Sequence, residues 1–409
     1  MIKPTSLATV LVLAGMVALG PLATSMYLPA FPAMAQSLDV SADQIQLTLS
    51  AYVIGLGMAQ LMFGPVADRL GRKPVVVTGL ALFCLGSIGC ILANHIAVLL
   101  GYRFLQGFGA AAGMVLAQAI IRDAFEGLEA TRRLAYMGST AALAPAIAPV
   151  VGGLLLVWFT WPSIFVLLTL YAAVVLMVVA FNLPESLPPE RRQALRAASV
   201  LRNYCEVAVN RTFLGNALGL SLMFAGHYGF IAGSPFVLIS LLGVSEHHFG
   251  WYFMLLTGAF IAGNLMGARL SRRYVPRGLI TTGGAMLCAS GALLVMLVLA
   301  NLASPVLIVG VYLIYAIGAG LMIPHLIVGA LTPFQHMAGT AAALMGFIQM
   351  SAAAVASGLV GHLHEDTARP MVFAIALCGA GALVAYKLVT PRPSVAQLDA
   401  TLQSSRHEG

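Results

Sequence analysis

The sequence predicts an all-α membrane protein of twelve transmembrane helices, arranged as two six-helix halves with both termini cytoplasmic. Three observations carry this. Of the 409 residues, 60% are hydrophobic and only 9% charged, whereas a soluble chain is about 25% charged. So few charges cannot clothe that much apolar surface in water, and along most of the chain the solvent is lipid. The charges are also gathered in short clusters separated by long charge-free intervals, and Lys and Arg concentrate on alternate loops.

A helix needs about 20 apolar residues to cross the hydrocarbon core. The intervals 4–38, 44–67, 74–102 and 104–121 hold one span each. The interval 134–184 holds two, divided near Trp158 to Pro162, and 212–245 and 247–268 hold one each. The stretch 278–364 carries no Asp, Glu, Lys or Arg, and breaks near Asn301 to Pro305 and Pro333 to Gly339 divide it into three. The last span, 370–386, extends past Lys387 over uncharged neighbours. The opening Met1-Ile2-Lys3 before an apolar run has the form of a signal peptide, but the many later spans favour an uncleaved first helix.

Orientation follows from the placement of Lys and Arg. With the amino terminus inside, the cytoplasmic loops hold Arg69, Arg72 and Lys73, then Arg132 and Arg133, then Arg191, Arg192, Arg196, Arg202 and Arg211. Arg269, Arg272, Arg273 and Arg277 follow, and the tail adds Lys387, Arg392 and Arg406. Arg103 and Arg369 are the exceptions on or near the outer side.

The polar stretch 183–211, with Pro184, Pro188 and Pro189 and five arginines, reads as a partly helical linker on the anionic inner leaflet. It divides the chain into a first half, 1–182, a second half, 212–390, and a cytoplasmic tail, 391–409. A repeat supports the division, because Arg69-Leu70 and Arg72-Lys73 recur 200 residues on as Arg269-Leu270 and Arg272-Arg273. Parallel six-helix halves joined by a central linker are a transporter architecture, with the substrate expected near the midplane between them.

Other classes are excluded by what the chain lacks. The net charge of +7 is not a nucleic-acid footprint, because the basic residues are spread over the loops rather than collected on one domain. Cys84, Cys90, Cys205, Cys288 and Cys378 form no CxxC and imply no disulfide. No GxxxxGK[ST], HExxH or nucleophile–base pattern is present, so neither ATP hydrolysis nor intramembrane catalysis is expected. No cofactor and no metal are expected either; His362, His364, Glu365 and Asp366 read as a solvated loop.

The most specific motif is Gly64-Pro65-Val66-Ala67-Asp68-Arg69-Leu70-Gly71-Arg72-Lys73-Pro74. Gly64 lets a backbone approach the end of span two. Asp68 is placed to cap a helix or pair with Arg, Gly71 suits a left-handed helix end, and Pro74 suits the first turn of the next helix. This stretch closely resembles the loop signature of the major facilitator superfamily. Arg103-Phe104-Leu105-Gln106-Gly107 running into Gly109 and Gly113, and Ala141, Pro145, Pro149 and Gly153 on one helical face, resemble its drug:proton antiporter branch, although Ala148 stands where that motif usually has Gly. Met26-Tyr27-Leu28-Pro29-Ala30-Phe31-Pro32, with Gly233-Ser234-Pro235-Phe236, resembles the Bcr/CflA-type multidrug subfamily, which includes bicyclomycin and phenicol exporters.

The resemblance implies a proton-coupled exporter of small amphiphilic compounds in the bacterial inner membrane, acting as a monomer among membrane lipids. It also implies that Asp68, Arg69, Arg72, Arg122 and Asp123 form an inner charge cluster that locks the outward-open state. The sequence departs from the subfamily at Ser25, where Asp is usual, and none of the acidic residues falls in the middle of a span. A facilitated or selective carrier of one defined metabolite is therefore the alternative. His227 in span seven is the candidate proton carrier, with His325 (where the subfamily has Asn) in reserve; a hydrogen-bonding role between helices stays open for both. Arg103, about 30 Å from Asp123 along span four, cannot pair with it, and site and structural roles stay open for it too. Ser25, Met26, Tyr27, Gln106, Met114, Phe230, Tyr315 and Gln349 complete the expected lining of a mostly apolar cavity; for each, packing against a neighbouring helix is the alternative.

Overall fold

A chain that crosses lipid must satisfy its backbone hydrogen bonds internally, and among the described residues every regular element is helical. The computed structural model describes residues 7–125, 127–192, 197–271, 273–363 and 367–391. Arg196, Arg272, Arg392, Arg406, the His364–Asp366 stretch and nearly all of the tail 391–409 lie outside the described residues.

Span one is α1 (Leu7–Ser25) and α2 (Phe31–Leu38), joined by a 3-10 turn at Leu28–Ala30. Pro29 and Pro32 bring no N–H to a helical ladder, so the span changes register there. Spans two to four are α3 (Ala42–Leu70), α4 (Arg72–Ile91) and α5 (Ile96–Ala124). Span five is α6 (Gly127–Ala141) and α7 (Ala144–Trp158), and span six is α8 (Pro162–Asn182). The expectation that Ala141 shares one helical face with Pro145, Pro149 and Gly153 fails: the helix breaks at Ala142–Leu143, because Pro145 cannot donate to the carbonyl of residue 141. Pro145, Pro149 and Gly153 do share α7.

The linker contains α9 (Ala197–Ala208). Span seven is α10 (Arg211–Ser234), which continues as a π-helical turn over Pro235–Leu241. Then come α11 (Glu246–Leu270), α12 (Pro276–Leu299), α13 (Pro305–Leu331), α14 (Ala338–His362) and α15 (Arg369–Val389). Helical residues run on from Pro305 to His362, far longer than one crossing needs. Phe334 (φ −124°, ψ 37°) and Met337 (φ −133°, ψ 37°) leave helical geometry and divide the run in two. Among the described residues the count is therefore twelve.

The first half is built around α5, which packs on α1, α3 and α4. A side chain at Gly107 would collide with the Tyr52 carbonyl of α3, and one at Gly113 with the Met16 carbonyl of α1; these glycines let backbones touch where lipid supplies no hydrophobic drive. In the second half α10 packs on α13, α14 and α15, and α13 on α11 and α12. The halves meet along two seams, α3 with α14 and α7 with α11. On the first seam, contacts run from Gln46 against Gly361, through a 2.7 Å hydrogen bond between the Ser50 and Ser357 hydroxyls, to Gln60 against Gly346. At Gly64 an added Cβ would meet nothing within 4 Å, so the backbone approach expected there is absent. On the second seam, a Cβ at Gly153 would lie 2.5 Å from the Glu246 carbonyl oxygen. Phe31 and Phe236, with ring centroids 6.0 Å apart, close the same end, opposite the face that carries the loops at 69–73 and 183–192.

These two glycines give opposite expectations. Gly107→Ala should cost about 1–3 kcal/mol through overpacking and lower the melting temperature in detergent. Gly64→Ala should leave the melting temperature unchanged or raise it, since it adds helix propensity without a clash.

Candidate functional site

Arg103 projects from α5, two turns below its start, and is fully buried. Its guanidinium carbon lies 4.1 Å from the ring centroid of Tyr27, 4.4 Å from that of Tyr52 and 5.8 Å from that of Phe165. Cation–π contacts of this kind contribute about 0.5–2 kcal/mol each, against an insertion cost of about 2.5–3.5 kcal/mol for Arg at mid-membrane. Nη1 donates to Gln106 Oε1, Gln106 Nε2 donates to Ser87 Oγ (2.7 Å), and Ser87 donates to the Phe83 carbonyl (2.9 Å). The Tyr27 hydroxyl lies 3.3 Å from Thr48 Oγ1, and the Tyr52 hydroxyl donates to the Gly20 carbonyl at 3.2 Å. Among the described residues no carboxylate pairs with Arg103.

Of the residues expected to line one cavity, Tyr27 and Gln106 contact this charge, and Ser25 and Met26 lie within two residues of Tyr27, all buried. Met114 packs against Gly20 of α1. His227, Phe230 and Tyr315 belong to a second nucleus in the other half. There the His227 ring nitrogen Nδ1 is 2.8 Å from the Tyr312 hydroxyl, and the imidazole stacks on Tyr312 and on Phe260. Tyr312 in turn stacks on Phe230 (3.8 Å) and Tyr315 (5.1 Å), and Tyr315 donates to the Met223 carbonyl at 2.8 Å. His325 stands apart: its Nε2 is buried without a hydrogen-bond partner, on the side of α13 that faces Gly267 of α11. Gln349 lies beside Met350, which packs on Gly57 at the α3–α14 seam. In α1 the Thr24 hydroxyl donates to the Gly20 carbonyl, which also accepts from Tyr52; in the second nucleus Tyr228 neighbours His227 (6.1 Å between rings). Sequence reading missed Thr24, Thr48, Tyr52, Ser87, Phe165, Phe260 and Tyr312, because uncharged residues on charge-free spans carry no mark of which way they face.

At the basic-loop face a charged clasp holds the turn between α3 and α4. Arg72 pairs with Asp68 (2.6 Å) and with Asp123 (3.1 Å), and Ser186 donates to Asp123 at 3.1 Å. Arg69 and Arg122, expected in this cluster, are exposed and make no ion pair among the described residues. The capping role considered for Asp68 falls instead to Glu185 of the linker. Glu185 Oε1 accepts from the Arg72 and Leu187 backbone N–H groups (both 2.9 Å), and Oε2 accepts from that of Lys73 (3.2 Å), a carboxylate at the positive end of α4. Gly71 turns at φ +102°, and a Cβ there would lie 2.5 Å from Glu185 Oε2. Two reasons therefore fix glycine at this position. Behind the clasp, Tyr204 of α9 donates to the Leu61 carbonyl (3.0 Å); burial pushes its phenol up to about 12, so it remains a donor.

Two helical bundles that meet along two seams, each with a buried polar nucleus, define a membrane carrier. The chain belongs to the major facilitator superfamily: the family model matches residues 13–357. It is 35% identical to the MFS-type transporter YdgK of Bacillus subtilis strain 168, over 88% of this chain and 90% of that one. It is 30% identical to a bicyclomycin resistance protein homolog of Haemophilus influenzae, over 91% and 94% of the two chains, and 29% identical to the multidrug resistance protein MdtL of Escherichia coli, over 93% and 95%. These relatives place it in the Bcr/CflA-type efflux subfamily, as a multi-pass protein of the bacterial inner membrane. Among solved structures, a D-xylose–proton symporter matches with a TM-score of 0.75 at 13% identity, over 93% of this chain and 97% of that one, a likeness of fold.

Removing the Asp68 charge should free Arg72 to pair with Asp123 alone. Asp68→Asn is expected to lose most of its turnover at equal membrane abundance, measured by efflux from liposomes; turnover equal to the parent protein's would separate the clasp from the transport cycle.

Proposed function

We propose that this protein is a secondary exporter of small amphiphilic compounds across the bacterial inner membrane, working by alternating access and driven by protons, without catalysing a covalent reaction. The observation that carries this is the seam geometry. The two bundles touch closely from Gln46–Gly361 to Gln60–Gly346, and at Gly153 against Glu246. Rocking about such seams exposes a central site to one side at a time. In this reading 1–182 and 212–390 are the moving units, 183–211 tethers them, and the basic loops face the cytoplasm with both termini. The names of the bicyclomycin and multidrug resistance relatives support amphiphilic substrates, and the protein is taken to act as a monomer among lipids.

No carboxylate lies in the middle of a span, since Ser25 ends α1 where the subfamily has Asp. His227, hydrogen-bonded to Tyr312 between α10 and α13, is then the best-placed group to carry a proton, with His325 in reserve. The same absence of acid favours a second reading, a facilitated carrier of one metabolite with no proton step.

Transport by purified protein in liposomes, with and without an imposed pH gradient, decides between them: pH-driven accumulation supports the exporter, and equilibration alone supports the facilitated carrier. Under the first, His227→Gln should abolish accumulation against a gradient and spare downhill exchange, because Gln keeps hydrogen bonding but does not titrate. Accumulation that persists in a His227/His325 double glutamine variant would rule out histidine coupling. Gly153→Leu, which forces α7 from α11, should slow turnover more than it weakens ligand binding; unaltered rates would show that this seam need not close.

A further inference from the structure

Arg103 holds a charge that the protein does not balance. Its guanidinium is fully buried, Gln106 occupies Nη1, and Nε and Nη2 are buried with no hydrogen-bond partner. Those two nitrogens share one edge of the planar group and point parallel donors outward, a pair that matches the two oxygens of a carboxylate or phosphate. Arginine cannot shed its proton to escape the cost, and an unpaired buried charge is strongly unfavourable. On α3 the nearest acid to Tyr52 is Asp43, nine residues away, roughly 13 Å along the helix. The aromatic rings of Tyr27, Tyr52 and Phe165 hold the cation but bring no negative charge to balance it.

We propose that the Nε/Nη2 edge of Arg103 anchors an oxyanion carried by the transported compound, so that the substrates include amphiphiles bearing a carboxylate or phosphate on an apolar body. This rests on the exporter reading of the same site. The apolar body has its place among the rings of Tyr27, Tyr52 and Phe165. Access comes through Tyr27, which sits at the change of helical register in span one, between Ser25 and the 3-10 turn at Leu28. Displacing that ring uncovers the guanidinium, and an arriving anion supplies the acceptors that its two N–H groups lack.

The test uses the purified full-length protein in nanodiscs, with 2-naphthoate, 2-naphthamide and inorganic phosphate as probes and thermal shift as the readout. Naphthoate should raise the melting temperature, with naphthamide binding about tenfold weaker or less because it brings no charge to the fork. Arg103→Gln should abolish the naphthoate shift. Arg103→Lys, which keeps the charge and folds with it but loses the two-donor edge, should weaken the shift, and Ser25→Asp, which sets a carboxylate two residues from Tyr27, should suppress it. Equal binding of naphthoate and naphthamide, or a shift that survives Arg103→Gln, would overturn the proposal. A shift by phosphate as large as that by naphthoate would reassign the site to a free inorganic ion. Efflux of a neutral dye from liposomes separates the two readings. Dye efflux without naphthoate preference defeats the anion inference alone; naphthoate binding without efflux of any compound defeats the exporter reading alone.

Discussion

Between helices in lipid there is no hydrophobic effect to gain, since the tails of the bilayer are as apolar as leucine. Cohesion then depends on how closely backbones approach and on the few polar groups that find one another. Both resources are used in this protein. Around α5 the glycines at 107 and 113 bring carbonyls of α3 and α1 against the helix, making the first half a tight unit. Along the seams the same two resources recur, in the hydroxyl pair of Ser50 with Ser357 and in the approach of Gly153 to the α11 backbone. The halves are thus joined by small residues and uncharged polar groups, which can part and meet again without stranding a charge in lipid.

The number and limits of the spans were legible because hydrocarbon tolerates so few charges. A cluster of arginines, or a run such as 278–364 without any, is a boundary that packing cannot override. The motif around Asp68 was equally readable, since its residues act on the turn in which they lie. What sequence could not supply was azimuth. Arg69 and Arg122 sit beside Asp68 and Asp123 in the chain yet make no ion pair among the described residues, and Glu185, more than a hundred residues along from Arg72, provides the cap. The lining residues show the same gap. Tyr27 and Tyr315 were both nameable as intramembrane polar aromatics, but only the fold places one on a buried cation and the other in an aromatic stack with Tyr312. The proline pattern of span five misled for a local reason: four-residue spacing assumes an unbroken helix, and proline itself breaks it at Ala142–Leu143.

The two polar nuclei differ in kind. The first carries a permanent charge and unfilled donors. The second is a closed stack in which His227, Tyr312, Phe230 and Tyr315 satisfy one another. Span one borders both halves, with Tyr27 on the Arg103 guanidinium and Phe31 against Phe236 of span seven. A displacement of span one at its break therefore alters the surroundings of both nuclei together, which is how one event at the ligand can reach the other half of the molecule.

The Glu185 cap also bears on biosynthesis. The N–H groups that open α4 are made early in translation, but the carboxylate that satisfies them emerges only after span six. Until then the turn at Gly71 has Asp68, Arg72 and Asp123 to hold it but no cap on the next helix. Domains fold as units as the chain emerges, amino-terminal first. The first bundle thus gains its closing contact from the last residues of its own sequence, just ahead of α9. A nascent chain halted within α8 would lack that fastening, while one extended to Leu187 would have it before any of the second bundle had been synthesised.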